Sequence, residues 1–150
     1  NQRALSSRIE KSVADGAHIR FPEGLYGLRE HDSFLLCEVD SGLPVRSLVS
    51  CRDPSMQLLV VDADVAWPGY PIGEARAQHP TDEEVAVALV ATVPCDGRPA
   101  TISPLSPLVI GLKSRIGKQV ILERSGLPVV AALDVGCGLR EERHREHWTG

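Results

Sequence analysis

Apolar and polar positions along the chain fall into short runs, cut at roughly ten-residue intervals by Gly, Pro, Asp and Ser. This pattern predicts strands at Ala17–Phe21, Ser33–Val39, Val45–Ser50 and Met56–Asp62, then at Ala100–Ile102, Leu108–Lys113 and Gln119–Glu123. Ser114–Gly117 is expected to be the hairpin loop joining the last two. The run from Val85 to Val93 is apolar except at Thr92 and bounded by turn signals. It reads as a central strand buried on both faces. A helix is its alternative, because Thr81 with Glu84 three residues on has the spacing of a capping box. Trp67-Pro68-Gly69-Tyr70-Pro71 must be irregular, since proline lacks a donor and fixes its own φ. Ile72–Ala77 is a short helix or a loop. Many short strands with few helices specify an all-β, mainly antiparallel sandwich or small barrel, expected from residue 17 to residue 128. Residues 1–16 are polar and form a frayed terminus or a first strand near Arg8–Val13. Residues 129–150 read as an extension, with an apolar patch at Val129–Leu133 and a charged helix or tail over Leu139–Trp148.

Composition sharpens this picture. Hydrophobic residues make up 43% of the 150-residue chain but aromatics only 4%, so the core must rest on Val, Leu, Ile and Ala. No apolar run approaches the ~18 residues that suggest a membrane span. No secretory leader is evident, and the expected location is the cytoplasm. Cys37, Cys51, Cys95 and Cys137 form no Cys-x-x-Cys pair and read as free thiols. Charge is unevenly spread. Between Glu30 and Glu84 eleven acidic residues face Arg46, Arg52 and Arg76, a net charge of −8; between Gly97 and Pro128 five basic residues face one Glu, a net charge of +4. Phosphate backbones are held by Lys and Arg, so the acidic half argues against direct nucleic-acid binding.

Two sequence blocks stand out: Phe21-Pro22-Glu23-Gly24-Leu25-Tyr26-Gly27-Leu28 and Gly117-Lys118-Gln119-Val120-Ile121-Leu122. Between them, in order, come Ser50-Cys51-Arg52-Asp53-Pro54, Val60-Val61-Asp62, Trp67-Pro68-Gly69-Tyr70, Ala91-Thr92-Val93-Pro94 and Ser106-Pro107-Leu108-Val109-Ile110. This ordered set resembles the FliW family of flagellar assembly factors. The resemblance implies a flattened, mostly antiparallel β-barrel that uses no cofactor or metal and acts by binding. Its implied partners are CsrA, an RNA-binding translational regulator, and flagellin. By the same resemblance Phe21, Pro22, Gly24, Gly27, Asp53, Pro54, Pro107, Gly117, Lys118 and Gln119 carry the structural motif, while Arg46, Asp62, Asp64, Trp67, Tyr70 and Ser103 are candidates for the partner surface. The chain departs from the family pattern where Tyr26 replaces Pro and Leu28 replaces Phe. Arg46–Ser50 replaces a segment with an aromatic pair, and Ser103 and Gly111 replace Asn. A barrel module retargeted to another partner is the alternative that these departures raise.

Other motifs carry sharper chemistry with less context. Val130–Arg140 resembles the first motif of S-adenosylmethionine-dependent methyltransferases, an apolar strand ending in Asp134-x-Gly136-x-Gly138, but only ten residues follow Arg140. His144 and His147, with Cys137 upstream, have the spacing of zinc ligands without a fourth. Asp62 and Asp64 would share a face if both lay on a strand, as a catalytic or metal-binding carboxylate pair does. Cys95 has no neighbouring base in sequence, and Arg115 and Lys118 read as an anion grip or as an ordinary hairpin tip.

Overall fold

The computed structural model describes residues 6–7, 14–40, 42–94 and 97–133. Its strands are β1 (Ser6–Ser7), β2 (Ala17–Arg20), β3 (Ser33–Glu38), β4 (Arg46–Ser50), β5 (Gln57–Asp62), β6 (Val85–Thr92), β7 (Thr101–Ile102), β8 (Leu108–Gly111), β9 (Gly117–Gln119) and β10 (Ala131–Ala132). Two short helices, α1 (Ala63–Ala66) and α2 (Ile72–Ala77), lie between β5 and β6.

β6 is the axis of the sheet. Ala88 pairs with Asp62 of β5 and with Leu108 of β8, which places β5 and β8 on opposite edges of β6. From β5 the sheet runs antiparallel through β4 and β3 to β2, and from β8 it turns to β9. A parallel bridge between Arg20 and Ile116, with the Arg20 amide donating to Arg115 O at 2.9 Å, joins β2 to the head of β9. The result is a nearly closed, mostly antiparallel barrel. Closure protects the edges that an open sheet leaves unpaired.

Alternation along β6 divides the core in two. Ala86 and Ala88 face the barrel interior with Ile19, Phe34, Leu36, Leu48, Val60 and Ile110. Val85, Val87, Leu89 and Ala91 face outward into a second cluster with Ala63, Ala66, Tyr70 and Ala75 of the helical segment and Leu122 and Leu133 downstream. β6 is therefore buried on both faces, and that is why its sequence is a continuous apolar run. The small Ala86 and Ala88 leave room inside for Phe21 and Phe34, whose rings meet edge to face at 5.8 Å and 75°.

Three expectations shift. The strand expected at Gln119–Glu123 is Gly117–Gln119, because after Gln119 the chain leaves β8; the amides of Val120 and Leu122 donate instead to Pro107 O and Leu105 O. Thr81 starts no helix: its Oγ1 accepts from the Glu83 amide in a turn that feeds β6. Beyond residue 128, β10 pairs with β7 and Leu133 is 2% exposed, so the fold continues to that point. The segments 8–13 and 139–148 lie outside the described residues.

Candidate functional site

The two blocks that stand out in the sequence meet in space. Gly117 packs so tightly on Phe21 that a Cβ there would lie 2.6 Å from the Phe21 ring. Gln119 holds the loop that follows Phe21: its Oε1 accepts from the Tyr26 amide at 2.9 Å, and its Nε2 donates to Ser106 O at 3.1 Å. Gly24 has a φ of +76°, and a Cβ on it would lie 2.9 Å from the Arg29 Cα, so only glycine fits. Pro22 is exposed at the head of this turn, and Gly27 also adopts positive φ. The loop is thus pinned at its centre and presents Tyr26, 49% exposed, at one end of the barrel.

The Asp53-Pro54 turn is latched nearby. Ser50 Oγ accepts from the amides of Arg52 and Asp53 at 3.1 and 3.2 Å and lies 2.8 Å from His31 Nδ1. The one hydroxyl thus ties the two turn amides to the imidazole of His31. The distance suits a nucleophile and base, but Ser50 is 1% exposed and His31 8%, and the serine oxygen is committed to two amides. The pair fastens a turn. Asp53 Oδ1 accepts from the amide and hydroxyl of Ser55, and these hydrogen bonds hold its carboxyl below the usual carboxylate range. His31 is the residue that sequence reading missed. Only the pairing of β3 with β4 brings it to Ser50.

At the opposite end of the barrel the interior rows finish in charge. Glu38 is paired with Arg46 across β3 and β4, Arg46 with Val60 across β4 and β5, and Asp62 lies two residues beyond Val60 on the same face. Glu38, Arg46 and Asp62 line one cavity of about 200 Å³ with Leu43 and Pro44. Asp62 is 5% exposed, whereas the Arg46 Nε is buried and has no hydrogen-bond partner. Asp15 joins this end by accepting from the Glu38 amide at 2.8 Å.

Asp62 and Asp64 do not form a strand pair. β5 ends at Asp62 and α1 begins at Ala63, so Asp62 turns inward while Asp64 is exposed on the helix. Tyr70 is a core plug: it is 5% exposed and its hydroxyl donates to Pro104 O at 2.6 Å. Burial, with Glu74 adding to it, pushes the phenol well above its ordinary range. Trp67 is half-buried against the outer core. Ser103 lines a different cavity from Arg46 and Asp62, with Tyr26 and Gln119. The expected partner residues are therefore not gathered at one site: Arg46 and Asp62 share one cavity, Ser103 lines another, and Tyr70 lies in the outer core. Arg115 adopts a φ of +61° and its Nε donates to Leu112 O, which ties the side chain to its own hairpin; Lys118 is part-buried on β9. Pro107 is buried beside β8. Among the described residues no group of three or more His, Cys, Asp or Glu side chains is placed to hold a metal. Cys95, Asp134–Arg140, His144 and His147 lie outside them.

One departure from the family pattern has a clear physical reading. Glu83 accepts from the amides of Lys113 and Ser114 at 2.7 and 2.8 Å and so closes the β8–β9 hairpin. Its carboxylate occupies the space beside Gly111, where a Cβ would lie 2.6 Å from it. Desolvation raises the carboxyl's affinity for a proton, but the amide hydrogen bonds outweigh it and hold the group below its ordinary range. Glycine at 111 makes the room that Glu83 needs.

This architecture and sequence have clear counterparts. The FliW protein family model matches residues 6–133. The chain belongs to the FliW family. It is 32% identical over 112 residues to a flagellar assembly factor FliW of Syntrophomonas wolfei, covering 71% of this chain and 72% of that one. It is 34% identical over 108 residues to that of Symbiobacterium thermophilum, covering 68% and 78%. A crystal structure of the flagellar assembly factor FliW shares the fold with a TM-score of 0.64 at 24% identity, over 81% of this chain and 88% of the other. Within the family fold, Tyr26 and Ser103, two departures far apart in sequence, line the same cavity.

Proposed function

We propose that this chain is a cytoplasmic, non-enzymatic regulator that binds CsrA and antagonises it, linking flagellar assembly to translation, with flagellin as a further partner. Family membership supports the reading, as do relatives that bear the name flagellar assembly factor. The observation that carries it is the charged barrel end, where Glu38 and Asp62 line one cavity with Arg46 and Asp15 accepts from the Glu38 amide. A protein that grips RNA must present positive charge to phosphates. An acidic barrel end seated beside that surface repels the RNA at range, over a screening length of about 8 Å in physiological salt. Among the described residues no helix is long and apolar enough to cross a membrane.

Calorimetric titration of the purified chain into CsrA tests the reading. The expected result is a complex at low ionic strength that weakens as salt is raised from about 0.05 to 0.5 M. No complex at the lower salt overturns it and favours the retargeted module, for which the segment Arg46–Ser50, in place of one with an aromatic pair, is the supporting feature.

A further inference from the structure

The hydroxyl of Ser50 has three hydrogen-bonding neighbours among the described residues: the amides of Arg52 and Asp53, at 3.1 and 3.2 Å, and His31 Nδ1 at 2.8 Å. An amide N–H can only donate, so Nδ1 is the neighbour able to take the hydroxyl proton. It can do so only while it carries no proton of its own. An imidazolium is protonated on both nitrogens. Its Nδ1–H would meet an oxygen that already faces two donors, at a place where Ser50 is 1% exposed and His31 8%. A buried donor without a free acceptor is costly.

The turn held by this hydroxyl can open without disturbing the core. Residues 51–55 are all exposed. The base of the turn is tied separately, since the Ser50 amide donates to Met56 O and the Cys51 amide to Ser33 O, both at 2.9 Å. Exposed segments with few buried contacts open at far lower cost than the whole fold. Charged groups beside the ring come from its own loop, with Arg29, Glu30 and Asp32, and from the turn, with Arg52 and Asp53. Arg52 is engaged with the Glu30 carbonyl, to which its Nη1 donates at 3.2 Å. The Asp53 carboxylate is near enough for its charge to be felt at His31, and it favours the imidazolium.

We propose that His31 is a pH-sensitive latch on the Asp53-Pro54 turn. Unprotonated at Nδ1, the ring accepts from Ser50 and holds the hydroxyl on the two turn amides. On gaining its second proton it turns from acceptor to donor, and the turn is released. Opening takes up a proton, so the turn is shut on the alkaline side of the imidazole's titration and loosened on the acid side. Imidazoles change charge within about pH 5–8, where cellular pH also varies. The device does not depend on which partner the barrel binds.

NMR of the full chain between about pH 8 and pH 5.5 tests this, with ring nitrogen shifts of His31 and amide hydrogen exchange followed together. At pH 8 the neutral ring carries its proton on Nε2. As the ring titrates, the protection of the Arg52 and Asp53 amides, each taken relative to its intrinsic rate, falls at least about tenfold with the same midpoint. Protection in β6 stays constant. In a folded His31→Gln chain, whose side-chain carbonyl accepts but does not titrate, the step at Arg52 and Asp53 is lost. The proposal is overturned if the neutral ring carries its proton on Nδ1, if protection at the two amides ignores the titration of His31, if β6 loses protection in parallel, or if the step survives in His31→Gln. The ring and exchange measurements on the parent chain decide the matter even where that variant does not fold.

Discussion

Replacing Gly117 by Ala tests whether the two sequence blocks form one packed joint. The added Cβ would stand 2.6 Å from Phe21 Cε1, 3.1 Å from Phe21 Cδ1 and 3.1 Å from Ile110 Cγ1. Carbon pairs rest at about 3.5–4.0 Å, so the Phe21 ring must move by about 1 Å. It has little freedom to do so. Phe21 is fully buried, its amide donates to Asp32 O at 2.7 Å, and its ring is set against Phe34. Overpacking of this kind costs about 1–3 kcal/mol. For a chain of this length each kcal/mol lowers the melting temperature by roughly 2–4 °C, so a loss in the middle of that range, about 2 kcal/mol, lowers it by about 4–8 °C. Urea denaturation and thermal melts measure the loss. The cause is separated from backbone effects by a double-mutant cycle with Phe21→Leu, which removes part of the clashing ring. The double variant should be more stable than the sum of the two losses by at least about 0.5 kcal/mol. A Gly117→Ala chain within about 0.5 kcal/mol of the parent, or strict additivity in the cycle, would refute the joint.

Other outcomes follow from the same geometry. Tyr70→Phe leaves the buried Pro104 carbonyl without its donor and should cost about 1–3 kcal/mol in urea denaturation; no loss would mean that water replaces the phenol. Ser50→Ala removes the acceptor of two amides and the partner of His31, so a loss of about 2 kcal/mol is expected, with faster hydrogen exchange at Arg52 and Asp53. Glu83 is held below its ordinary value, so its contribution is present above the unfolded value near pH 4.3 and fades as pH falls through the lower folded value. Glu83→Gln should flatten that acidic limb of the stability profile, and an unchanged limb would assign the loss to other carboxylates.

Much of the barrel is visible in the sequence because its strands are short and punctuated. Val85–Thr92 is the clearest case, since a strand covered on both faces leaves a continuous apolar run. β9 was harder to place. Val120 and Leu122 are buried as a strand's residues would be, yet their amides bond to a loop. Periodicity reports burial and cannot tell which partner accepts the bond. Where the candidate surface residues lie in the fold could not be read from the sequence. Asp62 and Tyr70 belong to the interior, because α1 starts one residue after Asp62 and the phenol reaches Pro104 across a gap of 34 positions. The clamp of Gln119 on Tyr26 spans 93 positions, a closure that no local pattern encodes.

Displacement of a fluorescent target RNA from CsrA by this chain tests the regulatory claim most directly. The account predicts that the parent chain releases the RNA, and that Glu38→Gln with Asp64→Asn still binds CsrA but releases markedly less RNA at low salt. Equal release by parent and neutralised chains, with equal CsrA affinity, would contradict it.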